Sequence, residues 1–564
     1  MTRPLVCAVA LAAVFGAWEI VWADFMADDF MQLAVLEGVS PAAAWTSRFD
    51  LYNISDGIPE HVRAMQDAGL FAWFAGPRFA LTFLRPLTSA FLWLDHSLFG
   101  LHPAGYRLDG ALWSLALVAS VGWILCRALP GRIGTLATLI FVLSGIQAVF
   151  CWSAARHVVM AAALGFAGLV AHVRWREEGW QPGRGLAPLA LVLSLAASEV
   201  GVAVAVYLLA YEAVGRAEGL RSRMRAALPT LIIIGVYLGI WSRFGHGASG
   251  GGYIDPLRDP GLFLSELPAR LAVLLGGIVL GGNADWWLLR PDLRPIIATI
   301  GVAASLGFAG LVVAASRESL APERAVVRWL ATATVLSAVP FAGTPIGSRC
   351  LLVPFVGGAA LLAVVIGRWW TAWRHAAGVR ARLLRASAAG LAIVHLVLAP
   401  LGRISGPLLV RQMLAVHVAT ALDTAALDPG TFPTQTAVVL AAPDIVIGLH
   451  AAFYRVLHRL PMPATWHMLS WAPGTHRFVR TGVDTLEMDI ASAGLDDARL
   501  GAGTSISLRG LEATVLSSEP GGQTQVRFRF DRSLDDASVT LLARRGDHLE
   551  RVAVPQIGET LVIP

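Results

Sequence analysis

The sequence predicts a mainly α, polytopic membrane helical bundle of about eleven spans, with a small extracytoplasmic β-rich domain at its C-terminal end. Three observations predict it. Of 564 residues, 56% are hydrophobic and 15% charged, and the mean hydropathy is +0.62, which excludes a disordered chain and argues against an ordinary soluble enzyme. Apolar runs approaching the ~20 residues needed to cross ~30 Å of hydrocarbon recur as far as residue 402. Beyond Thr434 the pattern changes to short alternating segments rich in β-branched residues.

The runs lie at 4–23, 108–126, 133–151, 154–172, 228–244, 295–315, 326–343, 350–367 and 386–402. A further apolar stretch, 186–211, carries Ser198-Glu199 at its centre and fits either one tilted helix or a hairpin of two short ones. Arginine decides between them, because cytoplasmic loops are enriched in positive charge. All 44 basic residues are arginine. With Arg3 inside, Arg127, Arg132, Arg174, Arg176 and Arg184 fall inside as well. A hairpin at 186–211 then brings Arg216, Arg221, Arg223 and Arg225 to the same side. If 262–282 does not cross and is an outer-face or re-entrant segment, Arg317, Arg324, Arg328, Arg368, Arg374, Arg380, Arg382 and Arg385 also become cytoplasmic. The count is then eleven, and the C-terminus lies outside. The first twenty residues also fit a secretory signal with Val21-Trp22-Ala23 as cleavage site, but removing them breaks this charge parity.

The predicted domains are a transmembrane domain at 1–403 with outer-face loops 24–107 and 245–294, a connector at 404–434, and the β-rich domain at 435–564. In the last, Ser505 to Leu508, Gln525 to Phe530 and Ser538 to Leu542 read as strands, with Glu519-Pro520-Gly521-Gly522 as a turn. The net charge of +5 comes from arginines clustered between apolar runs, so nucleic acid is not an expected partner. Cys7, Cys126, Cys151 and Cys350 show no paired spacing and read as small core residues.

Chemistry is suggested first by Asp28-Asp29, just past the first run. Two adjacent carboxylates repel, so one holds its proton more tightly unless a cation is near. Such a pair suits a general base or a metal ligand, or it ends a helix facing water. Farther on come Phe83-Leu84-Arg85-Pro86-Leu87 and then Leu94-Asp95-His96-Ser97-Leu98-Phe99-Gly100-Leu101-His102-Pro103-Ala104-Gly105-Tyr106-Arg107. Trp152-Ser153-Ala154-Ala155-Arg156 follows the third run, Ser198-Glu199 interrupts the hairpin, and Ser348-Arg349-Cys350-Leu351-Leu352-Val353-Pro354 opens a late span. His102, His157 and His246 are isolated and make no metal spacing.

In this order, over roughly the first 370 residues, the motifs resemble those of the GT-C superfamily of polytopic glycosyltransferases, which includes protein O-mannosyltransferases and aminoarabinose transferases. The chain departs from them at Ser198, where relatives often have Lys, at Cys350, where they often have Tyr, and at Gly110-Ala111-Leu112-Trp113-Ser114. The resemblance implies transfer of a glycosyl group from a polyprenyl-phosphate sugar to a glycan, lipid or protein acceptor at the outer face of a bacterial inner membrane. Asp28 is the expected general base, with Asp29 next. A leaving phosphate needs fixed donors, and arginine supplies two parallel N–H groups. Arg349 is the first candidate, followed by Arg85 and Arg156, and Arg85 is alternatively a clamp on loop carboxylates. Glu199 is expected to pair with Arg156 or to touch a sugar hydroxyl, and Asp95 and Tyr106 are expected to support the site. The sugar–phosphate bond is already activated, so no nucleotide is needed, and dependence on a divalent cation is left open. Asp28 and Asp29 are of a type that holds Mg or Mn, which a sugar or serine hydroxyl acceptor does not demand. The competing readings are a carrier or flippase for a lipid-linked anion and a non-catalytic cell-envelope assembly protein.

Overall fold

The structure, a computed structural model, describes residues 3–22, 24–146, 152–317, 320–372, 378–420, 427, 429–444, 446–472, 474–491, 500–518, 523–546 and 548–564. Ala23, Cys151, Arg374 and the turn at 519–522 lie outside them. In chain order the helices are α1 (Arg3–Trp22), α2 (Asp28–Leu36), α3 (Pro59–Asp67), α4 (Pro86–Phe99), α5 (Pro103–Ala128), α6 (Arg132–Leu143), α7 (Arg156–Glu178), α8 (Gly183–Ala197) and α9 (Val200–Ala210). There follow α10 (Leu220–Arg243), α11 (Pro260–Val279), α12 (Trp286–Leu289), α13 (Arg294–Ser316), α14 (Ala321–Ala338), α15 (Pro354–Ala372), α16 (Val379–Ile393), α17 (Ala399–Thr420) and α18 (Ala451–Leu457). Two compact units result. A helical unit takes residues 1–23, 83–246 and 253–409, and a mixed unit takes 24–82, 247–252 and 410–564.

Within the helical unit, eight helical segments are long and apolar enough to cross a membrane, among the described residues. α10 and α13 leave Leu231, Ile232, Val236, Leu306 and Val313 exposed along their length. Side chains of this kind in such numbers are covered by lipid, and the protein is a multi-pass membrane protein. The stretch 186–211 is two helices: Ser198 is extended (φ −169°) and ends α8, and α9 restarts at Val200. Ser194 and Val204 both lie against Gly165 of α7, so the chain folds back at the Ser198-Glu199 break.

Two expectations need correction. The segment 262–282, expected as an outer-face or re-entrant segment, is largely the continuous helix α11, one of the eight long apolar helices. Its seat is made by glycine: a Cβ on Gly276 would lie 2.5 Å from Gly301 Cα of α13, so only glycine lets the two backbones approach this closely. The run at 386–402 does not stop at 403. α16 passes through a π-helical turn at Val394–Leu398 into α17, which continues to Thr420.

α1 is tied into the bundle by its only acid. Arg403 on α17 donates from Nε to Glu19 Oε1 at 2.7 Å and from Nη2 to Oε2 at 3.2 Å, and both side chains are fully buried. The guanidinium also donates to the Val142 carbonyl. A buried carboxylate at the end of an apolar helix is costly alone, and here it is satisfied by a two-pronged partner.

The mixed unit holds β1 (Asn53–Asp56), β2 (Ala80–Thr82), β3 (Gly247–Ser249), β4 (Thr436–Ala441), β5 (Thr465–Met468), β6 (His476–Arg480) and β7 (Thr485–Ala491). After them come β8 (Ser505–Leu508), β9 (Leu511–Ser518), β10 (Gln523–Phe530), β11 (Val539–Arg545), β12 (His548–Val552) and β13 (Thr560–Ile563). They form sheets of order β1-β2-β3, β13-β6-β7-β10-β9-β8 and β12-β11-β4-β5. β4 lies between two parallel neighbours and is buried throughout, hence its unbroken apolar run, whereas antiparallel β10 alternates buried and exposed residues. Trp73 donates to the Leu469 carbonyl at 2.9 Å and meets Phe528 edge-on, and Phe74 meets Trp471. The aromatic run after α3 thus finds its core among the C-terminal strands, and the compact units divide the chain elsewhere than at 403 and 434.

Two predictions follow from this packing. Arg403→Leu leaves Glu19 buried without a cation and should lower stability by about 3 kcal/mol. Adding Glu19→Leu should recover most of the loss in detergent-based unfolding titrations, and equal instability of the single and double variants would refute the pairing. In the mixed unit, burial pushes the imidazoles of His467 and His476 down to about 4. The unfolded chain therefore binds more protons between about 6.5 and 4, so stability present above 6.5 is lost as pH falls through that window. Unfolding midpoints of the full chain measured across pH 4–8 test this, and His476→Gln should flatten part of the slope.

Candidate functional site

The motif around residues 94–107 is first a device for joining two helices. Gly100 takes φ +55° and ends α4, and Pro103 opens α5 at the position where its missing N–H costs nothing. The Tyr106 hydroxyl reaches back to the Gly100 carbonyl at 2.7 Å. A Cβ on Gly105 would fall 2.1 Å from the Phe99 ring, so this position admits only glycine. Tyr106 is fully buried in this lock.

Arg156 opens α7 and is fully buried between two carboxylates, Asp95 of α4 and Asp109 of α5. The Asp109 contact measures 2.7 Å, and Nη1 also donates to the Tyr106 carbonyl at 3.3 Å. Arg107 donates to Ser153 Oγ at 2.8 Å. The two motifs, 94–107 and 152–156, therefore interlock. Burial pushes the Asp95 carboxyl up to about 6; Arg156 pulls against it and the like charge of Asp109 adds to the rise. Asp109 was not singled out in the sequence, although it stands one turn beyond Tyr106 on α5.

Arg85 precedes Pro86 at the start of α4, and Thr88 donates to the Ala197 carbonyl at 2.8 Å, holding this helix start against the α8–α9 break. There Arg85 meets Glu199 two-pronged, with Nε to Oε2 at 2.9 Å. Glu199 thus pairs with Arg85 and not with Arg156, whose cation is already held by Asp95 and Asp109. Ser198 Oγ donates to Glu199 Oε2 at 3.1 Å and lies 2.9 Å from His157 Nδ1. His157, isolated in the sequence, is therefore part of a relay His157–Ser198–Glu199–Arg85. Arg349 stands half-buried between α14 and α15, within electrostatic reach of His157, with its guanidinium 5.6 Å from the Trp152 ring and Nη2 donating to the Pro345 carbonyl at 3.2 Å. Next to it, Ser348 N–H donates to Asp285 at 2.9 Å. One end of the helical unit thus gathers two arginines, a glutamate, a histidine and a tryptophan from four separate stretches of sequence.

In the mixed unit, Asp28 and Asp29 begin α2 and do different work. Asp29 is buried and accepts from the Met26 N–H at 3.0 Å, capping the turn. Asp28 keeps 39% of its side chain exposed, and its Oδ1 lies 3.5 Å from Nε2 of His450. The residue before it, Ala27, takes φ +49°, a left-handed conformation that a non-glycine residue adopts at a cost of order 1 kcal/mol or more. His450 is buried, and neither ring nitrogen makes a hydrogen bond among the described residues. α18 follows it directly, and Tyr454 of α18 packs edge-on against Phe30 of α2, bringing the histidine to the aspartate. His450 lies in no motif, which is why the sequence did not reveal it. Among the described residues no group of three or more His, Cys, Asp or Glu side chains is arranged to hold a metal ion.

No family model matches the chain, and no curated protein matches it. Among solved structures, the chain is similar to ArnT from Cupriavidus metallidurans bound to undecaprenyl phosphate, at 14% identity and a TM-score of 0.39, over 93% of this chain and 97% of that one. It is similar also to the apo state of the same protein, at 14% identity and a TM-score of 0.39, over 81% and 84% of the two chains. At these values function has to be argued from the residues of this chain.

Tyr106→Phe should cost about 1 kcal/mol, the worth of one buried hydrogen bond, and leave the fold intact. Arg156→Leu leaves two carboxylates buried together and should cost about 3–5 kcal/mol. Thermal unfolding of both variants in detergent checks the ranking; a milder effect for Arg156→Leu than for Tyr106→Phe would contradict it.

Proposed function

We propose that this chain is a GT-C-type glycosyltransferase of the bacterial cytoplasmic membrane, using a polyprenyl-phosphate-linked sugar as donor and a hydroxyl of a glycan, lipid or protein as acceptor. The observation that carries this reading is Asp28: a part-exposed carboxylate at a helix start, behind the strained Ala27, with a buried histidine beside it. In this reading the N-terminus is cytoplasmic and the mixed unit extracytoplasmic, which agrees with the arginine distribution when α11 lies at the outer face and does not cross.

Asp28 takes the proton of the acceptor hydroxyl as that oxygen attacks the anomeric carbon. The bond from C1 to the phosphate oxygen breaks, its electron pair leaves on the polyprenyl phosphate, and the configuration inverts. His450 is a positioning residue that holds the Asp28 carboxylate in place. Arg349 meets the negative charge gathering on the leaving phosphate. Arg85 and Arg156 are assigned a different part: each is already engaged by buried or half-buried carboxylates, Glu199 for one and Asp95 with Asp109 for the other. They hold the helix ends that carry Arg349's neighbours. No step is routed through a metal ion, Mg and Mn included.

The test is turnover of purified protein against a panel of polyprenyl-phosphate sugars. Asp28→Asn should lower turnover by about 10²–10⁴-fold with unfolding temperature and donor affinity unchanged. Arg349→Gln should lower turnover by about 10²-fold or more and weaken donor binding. An Asp28→Asn protein that turns over at the wild-type rate would remove the general base from the scheme. Movement of the lipid across vesicles without any sugar transfer would favour the carrier reading.

A further inference from the structure

A second site lies at the opposite end of the helical unit. α7, α8 and α10 enclose a cavity of about 370 Å³ lined by His172, Arg176, Arg184, Ser222 and Arg225 on its polar side. Along α7 the twenty residues from Arg156 to Arg176 span about 30 Å, so this cavity is a membrane thickness away from the Arg85–Glu199 cluster. Ala187, Pro188 and Pro229 supply an apolar wall.

The cations of this cavity are not equivalent. Arg176 is neutralised within the protein, donating at 2.7 Å to Glu212 and at 2.7 Å to Glu218, and Glu212 also meets His172 at 2.8 Å. Arg184, in the first turn of α8, and Arg225, on α10, are exposed, and neither forms an ion pair among the described residues. Two uncompensated guanidiniums at one rim, an apolar wall at the other and lipid-exposed α10 alongside match a molecule that carries a phosphate at one end and hydrocarbon at the other.

We propose that this cavity binds the phosphate group of an anionic membrane lipid, with Arg184 and Arg225 as the phosphate donors and Ala187, Pro188 and Pro229 lying along the first carbons of the acyl chain. The site is separate from the glycosyl-transfer reading and uses none of its residues. Among the described residues, two of the three arginines have no carboxylate partner, as a lipid phosphate would require, while the third organises the cavity floor through Glu212.

The experiment is native mass spectrometry of the full-length protein titrated with dioleoyl phosphatidylglycerol, with dioleoyl phosphatidylcholine and with inorganic phosphate. Phosphatidylglycerol should bind more tightly than phosphatidylcholine. The double variant Arg184→Gln/Arg225→Gln should weaken phosphatidylglycerol about thirtyfold, about fivefold for each arginine, without changing phosphatidylcholine binding or the unfolding temperature. Arg221→Gln removes the same charge from α10 outside the cavity and should leave the affinity within about twofold. Equal binding of the two lipids, an unchanged double variant or an equal loss in Arg221→Gln would overturn the proposal. Displacement of the lipid by inorganic phosphate at matching concentration would make the cavity a free-phosphate site and overturn the lipid assignment.

Discussion

The helical unit depends on one buried guanidinium. Arg156 has no exposure to solvent, and its two carboxylate partners come from two other helices, so α4, α5 and α7 share a single electrostatic knot. A knot of this kind contributes little net stability compared with a well-packed apolar core, but it is intolerant of any arrangement that leaves one member alone. Register and helix order follow from that intolerance. The Tyr106 lock and the Arg107–Ser153 bond lie within a turn of it, and α4 so fixed delivers Arg85 to Glu199 at the α8–α9 break. The neighbourhood of Arg349 is therefore assembled on a frame whose charges are already balanced.

Motif residues that look alike in the sequence divide into two kinds. Asp95, Tyr106, Arg156 and Arg85 are consumed by the frame, each with its partners inside the protein. Asp28 and Arg349 remain at partly exposed positions, one beside a buried histidine and one over a tryptophan ring. The pair Asp28-Asp29 shows the same division within two residues: Asp29 turns inward to cap the chain, and Asp28 turns outward.

The helices were legible because hydrocarbon length and hydropathy leave few alternatives, and the break at Ser198-Glu199 was legible because the arginines on either side of 186–211 fall on one face of the membrane only if the chain turns back. The strands β8 and β10 were legible from alternation, since one sheet face is buried and the other wet, whereas β11 is buried along most of its length and was legible from its apolar, β-branched composition. Pairing was not legible. Two arginines and three carboxylates admit several matchings, and only the packing of α4 against α8 decides that Glu199 meets Arg85. The course of 262–282 was read from charge parity alone, which left its helix unspecified, and Ser265, Glu266 and Arg270 interrupt its apolar run. His450 was invisible because its link to Asp28 depends on α18 docking on α2, far apart in the chain.

The pairing of Glu19 with Arg403 sets a condition on biosynthesis. Its two halves are separated by 384 residues, so a ribosome adding about 5–20 residues per second delivers the arginine roughly 20–80 s after the glutamate. For that interval the opening helix holds its acid without the counterion that completes it, and it must wait at the edge of the insertion machinery or lean on temporary partners. The final bundle segment is thus the clasp that closes the first, and a nascent chain arrested before α17 would present an unfinished α1 to quality-control proteases.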